Sequence, residues 1–284
     1  TIFDNEPPPT VTLSQDGVAT IAEEPASGAI SMVVTAKLSE VSGKDVRVSL
    51  VTGGRAKRDI DYKLSDSVIT ILKGDTLGTI SITALPDSLN EHDEEVTVTI
   101  SGTNGGLIGV DKSRSVTITD NDPLPTMTLE AVPPSIAEVD GLSTITAKLN
   151  VLSGRDVTVN LKTTGDAVQD KDYRMDTQIV IPEGAISASG SLVSKDDLLN
   201  EHNEKVTVDI DTVEFVSREG VVPVNVVIVD NDPLPLATLS VGSFIIEENG
   251  ATTTNVTVSL APVSGRTVTV TIAPNALLSN AINN

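Results

Sequence analysis

The sequence has no cysteine and no tryptophan, and its 284 residues include only three Phe and two Tyr. Without cysteine there is no disulfide, thiolate zinc site, iron–sulfur cluster or cysteine nucleophile. Only two histidines are present, His92 and His202, which excludes a His-rich metal site. Basic residues are scarce too: 19 Lys and Arg stand against 40 Asp and Glu, a formal net charge of −21. Such a chain is repelled by nucleic-acid phosphates and by anionic lipid, so neither is an expected partner. No apolar run approaches the ~20 residues of a spanning helix, and no direct membrane insertion is expected. The missing cysteines leave the compartment open. The chain starts Thr-Ile-Phe-Asp, without a basic n-region or an apolar h-region. It therefore reads as a mature fragment or excised piece, with any targeting signal outside it. An excess of carboxylates does suit hard cations such as Ca²⁺, which take carboxylate and carbonyl oxygens.

What the sequence does contain is repetition. Asp120-Asn121-Asp122-Pro123-Leu124-Pro125 recurs as Asp230-Asn231-Asp232-Pro233-Leu234-Pro235, a spacing of 110, and a decayed copy opens the chain as Asp4-Asn5-Glu6-Pro7. Asn90-Glu91-His92 recurs as Asn200-Glu201-His202, and Asp59-Ile60-Asp61-Tyr62 as Asp170-Lys171-Asp172-Tyr173. Ser42-Gly43, Ser153-Gly154 and Ser264-Gly265 are each followed by a basic residue. This phase divides the chain into the tail of a preceding repeat at 1–9, full repeats at 10–122 and 123–232, and a partial third repeat at 233–284.

Each repeat reads as β. Val96-Thr97-Val98-Thr99-Ile100, Val206-Thr207-Val208-Asp209-Ile210 and Val268-Thr269-Val270-Thr271-Ile272 alternate apolar with polar residues. That period of two, rich in β-branched side chains, marks strands with one wet face. The Ser-Gly-basic steps read as hairpin turns. Six or seven strands per repeat predict an all-β chain of tandem immunoglobulin-like antiparallel sandwiches. The prolines after each closing motif stiffen the connections, so the sandwiches should form an elongated rod. The third repeat would supply three strands, around Ala237–Val241, Thr253–Leu260 and Val268–Ala273.

The acidic residues gather where strands end, at equivalent places in each repeat. Alternate loops of a sandwich share one end, so these carboxylates would meet there and repel. An early Glu after Ile-Ala, a mid-repeat Asp-Tyr, an acidic loop before an Asn-Glu-x-x-Glu strand start and a closing Asp-x-Asp resemble the Calx-β family. That family includes calcium-sensing domains of sodium–calcium exchangers and repeats of bacterial surface proteins. The resemblance covers both full repeats and, through Glu247-Glu248-Asn249-Gly250, the start of the third. It implies Ca²⁺ at one end of each sandwich. The implied side-chain ligands are Glu23, Asp61, Asp87, Glu91, Asp120 and Asp122 in the first repeat. In the second they are Glu138, Asp172, Asp196, Asp197, Glu201, Asp230 and Asp232, with Glu247 in the third. Backbone carbonyls at Leu89 and Leu199 would add to them. Pro86 stands where the second repeat has Asp196, so the second repeat is expected to bind more ions or bind them more tightly.

Other readings compete. Asp and Asn favour turns for backbone hydrogen bonding alone. Asp59 and Asp170 read as solvated, as do His92 and His202, which have no repeated Ser nucleophile beside them. Paired carboxylates could serve a glycoside hydrolase, although sugar sites favour aromatic platforms and this chain has few. A cadherin-like adhesion array also places Ca²⁺ at linkers, but its Asp-Arg-Glu-type motif is missing. The reading favoured on sequence is a non-enzymatic, calcium-binding spacer or adhesive segment of a large extracellular or cell-surface protein. Its partners would be calcium ions and neighbouring repeats, with the adhesion ligand unknown.

Overall fold

The computed structural model describes residues 6–17, 19–24, 30–242 and 253–273. Among them every regular element is a strand, as the alternation implied. The first unit holds β1 (Thr10–Gln15), β2 (Thr20–Ala22), β3 (Ser31–Leu38), β4 (Val46–Gly54), β5 (Tyr62–Leu64), β6 (Val68–Ile71), β7 (Leu77–Ala84), β8 (Glu94–Asn104), β9 (Leu107–Ile108) and β10 (Ser113–Thr119). They form two facing sheets, in orders β5-β7-β3-β1-β9 and β2-β10-β8-β4-β6. The second unit repeats the plan with β11 (Met127–Val132), β12 (Ser135–Ala137), β13 (Leu142–Leu149), β14 (Val157–Gly165), β15 (Tyr173–Met175), β16 (Gln178–Ile181), β17 (Ser187–Ser194), β18 (Glu204–Val213) and β19 (Val224–Val229). Its sheets run β11-β13-β17-β15 and β12-β19-β18-β14-β16. These are immunoglobulin-like sandwiches. The strands outnumber the six or seven expected because β2, β5 and β9 are only two or three residues long, below what alternation can reveal.

Alternation decides what is buried. On β3, Met32, Val34, Ala36 and Leu38 point inward and are almost wholly buried, while the residues between them face out. Val96, Val98 and Ile100 do the same on β8. Each unit has its own aliphatic core, with one buried tyrosine, Tyr62 or Tyr173, as its largest member. The register of β4 on β8 slips between Ser49 and Leu50, and that of β14 on β18 between Asn160 and Leu161. These repeated irregularities bend corresponding strands alike.

Two sequence expectations fail. The Ser42-Gly43-Lys44 step is no hairpin: it carries the chain from β3 in one sheet to β4 in the other, and Ser153-Gly154-Arg155 does the same between β13 and β14. A turn sequence specifies local geometry and not which sheet receives the next strand. In the third segment β20 (Leu236–Val241) pairs with β21 (Val256–Ala261), but residues 268–273 form no strand despite their alternation. A strand needs a neighbour for its ladder, and the described residues supply none there.

Edge pairing positions the loops. β2 pairs with β10 in parallel, Ala22 opposite Thr119, and β12 pairs with β19 in parallel, Ala137 opposite Val229. Parallel strands finish at the same end, so the residues after β2 and β10 leave side by side. Val96 of β8 lies opposite Gly54 of β4, where the backbone approaches closely. Gly165, the counterpart in β14, has φ 133°, and a Cβ there would lie 2.0 Å from the Lys205 carbonyl oxygen. Gly165→Ala is therefore expected to destabilise the second unit by at least ~1–3 kcal/mol, the usual cost of overpacking. Thermal melting measures it, and an unchanged melting temperature would show that this approach is not tight.

Candidate metal centre

Four chain segments converge at one end of each sandwich. In the first unit they are the residue after β2, the turn before β5, the β7–β8 loop and the stretch after β10. The backbone fixes each one. Glu23 N–H donates to Thr119 C=O (3.3 Å), and Glu138 N–H to Val229 C=O (3.0 Å). Leu85 N–H donates to Asp61 C=O and Lys195 N–H to Asp172 C=O. The turn before β5 passes through Asp59 at φ 66°, and its counterpart through Asp170 at φ 68°. Asp tolerates that left-handed conformation, which explains its repetition without a ligand role. Both side chains are exposed, each beside one arginine.

The carboxylates are individually oriented. Asp61 Oδ2 accepts from Lys57 N–H at 2.5 Å, and Asp172 Oδ2 from Val168 N–H at 2.6 Å. Asp87 Oδ1 accepts from Leu89 N–H and Asp197 Oδ1 from Leu199 N–H, each at 2.7 Å, so the backbone N–H of each Leu closes an Asx turn. The buried Asn90 amide donates to Asp120 Oδ2 (3.0 Å) and to Asp122 C=O (2.8 Å). Asn200 makes the same two bonds to Asp230 and Asp232 at the same distances. This amide clip was invisible to a search for charged groups, although Asn90-Glu91 repeats.

Among the described residues, acidic side chains form five groups, within each of which one oxygen per residue lies within 4.8 Å of the others. In the first unit they are Glu23, Asp87 and Asp122, and Asp61, Glu91 and Glu94. In the second they are Glu138, Asp197 and Glu201; Glu138, Asp230 and Asp232; and Asp172, Glu201 and Glu204. Of the residues singled out in sequence, Asp120 and Asp196 stand outside these groups. Asp120 is engaged by the Asn90 amide and by Arg155 at 3.8 Å. Asp196 is exposed, though its charge still reaches Asp232. Glu247 lies outside the described residues. Glu94 and Glu204, which join two of these groups, were not singled out in sequence. They are the final Glu of each Asn-Glu-x-x-Glu run and the first residue of β8 and β18, where alternation alone gives a solvent-facing side chain.

Electrostatics mark both ends as strained when no cation is present. Burial, then the charges of Asp87, Asp122, Asp120 and Glu91, push the Glu23 carboxyl up to about 7. Burial and then Asp61 raise Glu94 to about 7, and burial and then Asp172 raise Glu204 to about 7. Buried Asp122 Oδ2, Glu138 Oε2, Asp232 Oδ2 and the side-chain oxygens of Asn90 and Asn200 receive no hydrogen bond. Buried acceptors normally have a partner. The donor set is all oxygen, hard and anionic, as Ca²⁺ or Mg²⁺ requires. One cation is already built in: Lys171 Nζ lies 3.1 Å from Asp172 Oδ1 and 3.8 Å from Glu201 Oε1, where the first unit has the exposed Ile60.

The next unit also reaches this end. Gly154 N–H donates to Asn90 C=O (3.1 Å), and Gly265 N–H to Asn200 C=O (3.2 Å). Arg155 pairs with Asp120, and Arg266 with Asp230 at 3.9 Å. His92 is half-buried and meets the Phe215 ring edge-on at 5.8 Å, so it is not the solvated residue expected. The Arg155 guanidinium stacks over the same ring.

A family model described as the Calx-beta domain matches residues 4–122 and 120–232. Among solved structures, the calcium binding domain CBD12 of CALX1.1 is 16% identical over 70% of this chain and 79% of its own, with a TM-score of 0.35. The apo-form Calx CBD1 domain is 18% identical over 38% of this chain and 99% of its own, with a TM-score of 0.30. A glycosyl hydrolase family 2 member from Bacteroides cellulosilyticus is 12% identical over 71% of this chain and 23% of its own, with a TM-score of 0.25.

The raised carboxyls give a signed pH dependence. Their pKa lies near 7 in the folded chain and near 4.5 in the unfolded one, so the folded chain holds more protons between those values. Unfolding free energy then falls as pH rises through that window. With chelator present, melting temperature is expected to drop between pH 5 and pH 7.5, and Glu204→Gln to flatten the drop. A melting temperature that climbs over that range would contradict the crowding of these groups.

Proposed function

The chain belongs to the Calx-beta domain family, and from that premise we propose that each unit binds Ca²⁺ at its carboxylate end and does no catalysis. The observation that carries this reading is the repetition, in two units, of buried carboxylate oxygens that accept no hydrogen bond. In the first unit, Glu23, Asp87 and Asp122 would form one site, and Asp61, Glu91 and Glu94 a second. Glu138, Asp197, Glu201, Asp230 and Asp232 would form the first site of the second unit. Its second site, Asp172, Glu201 and Glu204, holds the Lys171 ammonium, which offsets part of the charge that a metal would meet. Bound Ca²⁺ would remove the carboxylate repulsion; the chain's own residues supply oxygens, orientation and the backbone bonds that hold them.

A hydrolase reading finds less support. The space among the second unit's carboxylates is about 10 Å³, the size of one water or ion, whereas small-molecule pockets run to several hundred Å³. The first unit's corresponding cleft is about 230 Å³, with Arg55 and Lys57 in its lining. Among the described residues, neither lining includes a Phe or Tyr.

The module's role follows as a stiff spacer or adhesive segment of a larger extracellular or cell-surface protein. Repeated cation sites beside a docked neighbour, joined through Pro123 and Pro125, favour an extended, Ca²⁺-stiffened rod.

The test is melting in Ca²⁺ and in chelator. Ca²⁺ at ~100 times its Kd stabilises by about 2.7 kcal/mol per site when the unfolded chain does not bind. The melting temperature is expected to rise with Ca²⁺, and Asp197→Asn to weaken the second unit alone. Lys171→Ile is expected to tighten binding there. Identical melting in millimolar Ca²⁺ and excess chelator would rule the calcium reading out.

A further inference from the structure

The opposite end of the first unit, away from its own carboxylates, repeats a surface used at both junctions of the chain. At both junctions within the chain, a Ser-Gly-basic crossover of one unit sits on the Asn-Glu loop of the unit before it. Asn90 bridges Ser153 and Asn200 bridges Ser264. The glycine of each crossover is required by its neighbour. A Cβ on Gly154 would lie 2.3 Å from Glu91 Cγ, and one on Gly265 2.5 Å from Glu201 Cγ. The glutamate stem crosses the bare backbone of the next unit.

The first unit carries the same crossover, and among the described residues no Asn-Glu loop sits on it. Ser42 Oγ accepts from Lys44 N–H and donates to Lys44 C=O, and Gly74 N–H donates to Ser42 C=O. Ser153 Oγ likewise accepts from Arg155 N–H, and Gly184 N–H donates to Ser153 C=O. The turn is therefore preformed. Gly43 is exposed, and a Cβ there would meet nothing within 4 Å. Its φ lies outside the left-handed range, so neither packing nor backbone within the first unit calls for glycine. Lys44 occupies the place of Arg155 and Arg266, and no ion pair among the described residues includes it. A cleft of about 550 Å³ opens beside the turn, lined by Glu6, Pro7, Pro8, Pro9, Val41 and Lys44.

We infer that the Ser42-Gly43-Lys44 face is a docking surface for the carboxylate-bearing end of a further unit of this same type. The occupant's chemistry follows from the two resident junctions. An Asn carbonyl accepts the Gly43 N–H, the stem of the following Glu crosses Gly43, and a closing carboxylate faces Lys44.

The test joins a further copy of residues 124–229 ahead of Asp4 in the full chain. The copied unit is one that carries its own core. Single cysteines are placed at Gly43 and at the copied Glu201, in a chain otherwise free of cysteine. Mild oxidation is run in Ca²⁺ and in chelator, so that a failure of the calcium reading is seen separately. The Gly43 pair is expected to cross-link at least ten-fold faster than a pair with cysteine at exposed Gly53, and about as fast as Glu91→Cys with Gly154→Cys at the resident junction. Equal rates for the Gly43 and Gly53 pairs would overturn the inference. A measurement without cysteines guards against a disturbed turn. Gly43→Gln is expected to leave melting of the unextended chain unchanged and to broaden the distance distribution of the extended chain in small-angle scattering. An extended chain indifferent to Gly43→Gln would also overturn it.

Discussion

The mutual repulsion of carboxylates held at one end of each sandwich is the constraint around which the rest of this structure is arranged. Two charges 4 Å apart repel by about 4 kcal/mol at an effective dielectric of 20. Each end gathers several such pairs, and the backbone holds them there. Parallel edge pairing brings Glu23 beside Asp120 and Glu138 beside Asp230. Asx turns aim Asp87 and Asp197, and the Asn90 and Asn200 amides clip the closing acidic loop to the β7–β8 and β17–β18 loops. A fold that spends so many directed bonds on keeping like charges together requires a compensating positive charge.

The chain supplies part of that charge itself. Arg155 and Arg266 come from the following unit and reach Asp120 and Asp230, while Lys171 comes from the same unit. Buried oxygens of Asp122, Glu138 and Asp232 remain without donors all the same. Docking contacts and acidic groups therefore share the same residues. Glu91 and Glu201 show it most directly, since each sits in an acidic group through its carboxylate and lies on the next unit's glycine through its stem.

Most of this was legible because the sequence repeats. Alternation in Val96–Ile100 and Val206–Ile210 marked core strands, and recurrence of Asp61, Glu91 and Asp122 marked the shared end. What escaped depended on information that a turn or a strand does not carry locally. Ser42-Gly43-Lys44 has hairpin chemistry but joins two sheets, a choice made by packing of the whole sandwich. Val268–Ala273 alternates as well as any strand, yet it has no ladder neighbour among the described residues and forms no strand. Glu94 and Glu204 were hidden by the alternation rule itself, which places the first residue of β8 or β18 in solvent while the converging loops turn it into a shared acidic group. Lys171 was printed inside a recognised repeat, and its effect on Asp172 appears only once the distance is known.

Calorimetric titration of Ca²⁺ into the metal-free chain at pH 7, in two buffers of different ionisation enthalpy, tests the central claim most directly. Calcium sensors and weaker calcium modules together bind over ~10⁻⁷–10⁻³ M. In that range the binding heat is expected to differ between the buffers, because Glu23, Glu94 and Glu204 have pKa values near 7 and must release protons to take the ion. Absence of binding heat at millimolar Ca²⁺, or heat that is identical in both buffers, would contradict it.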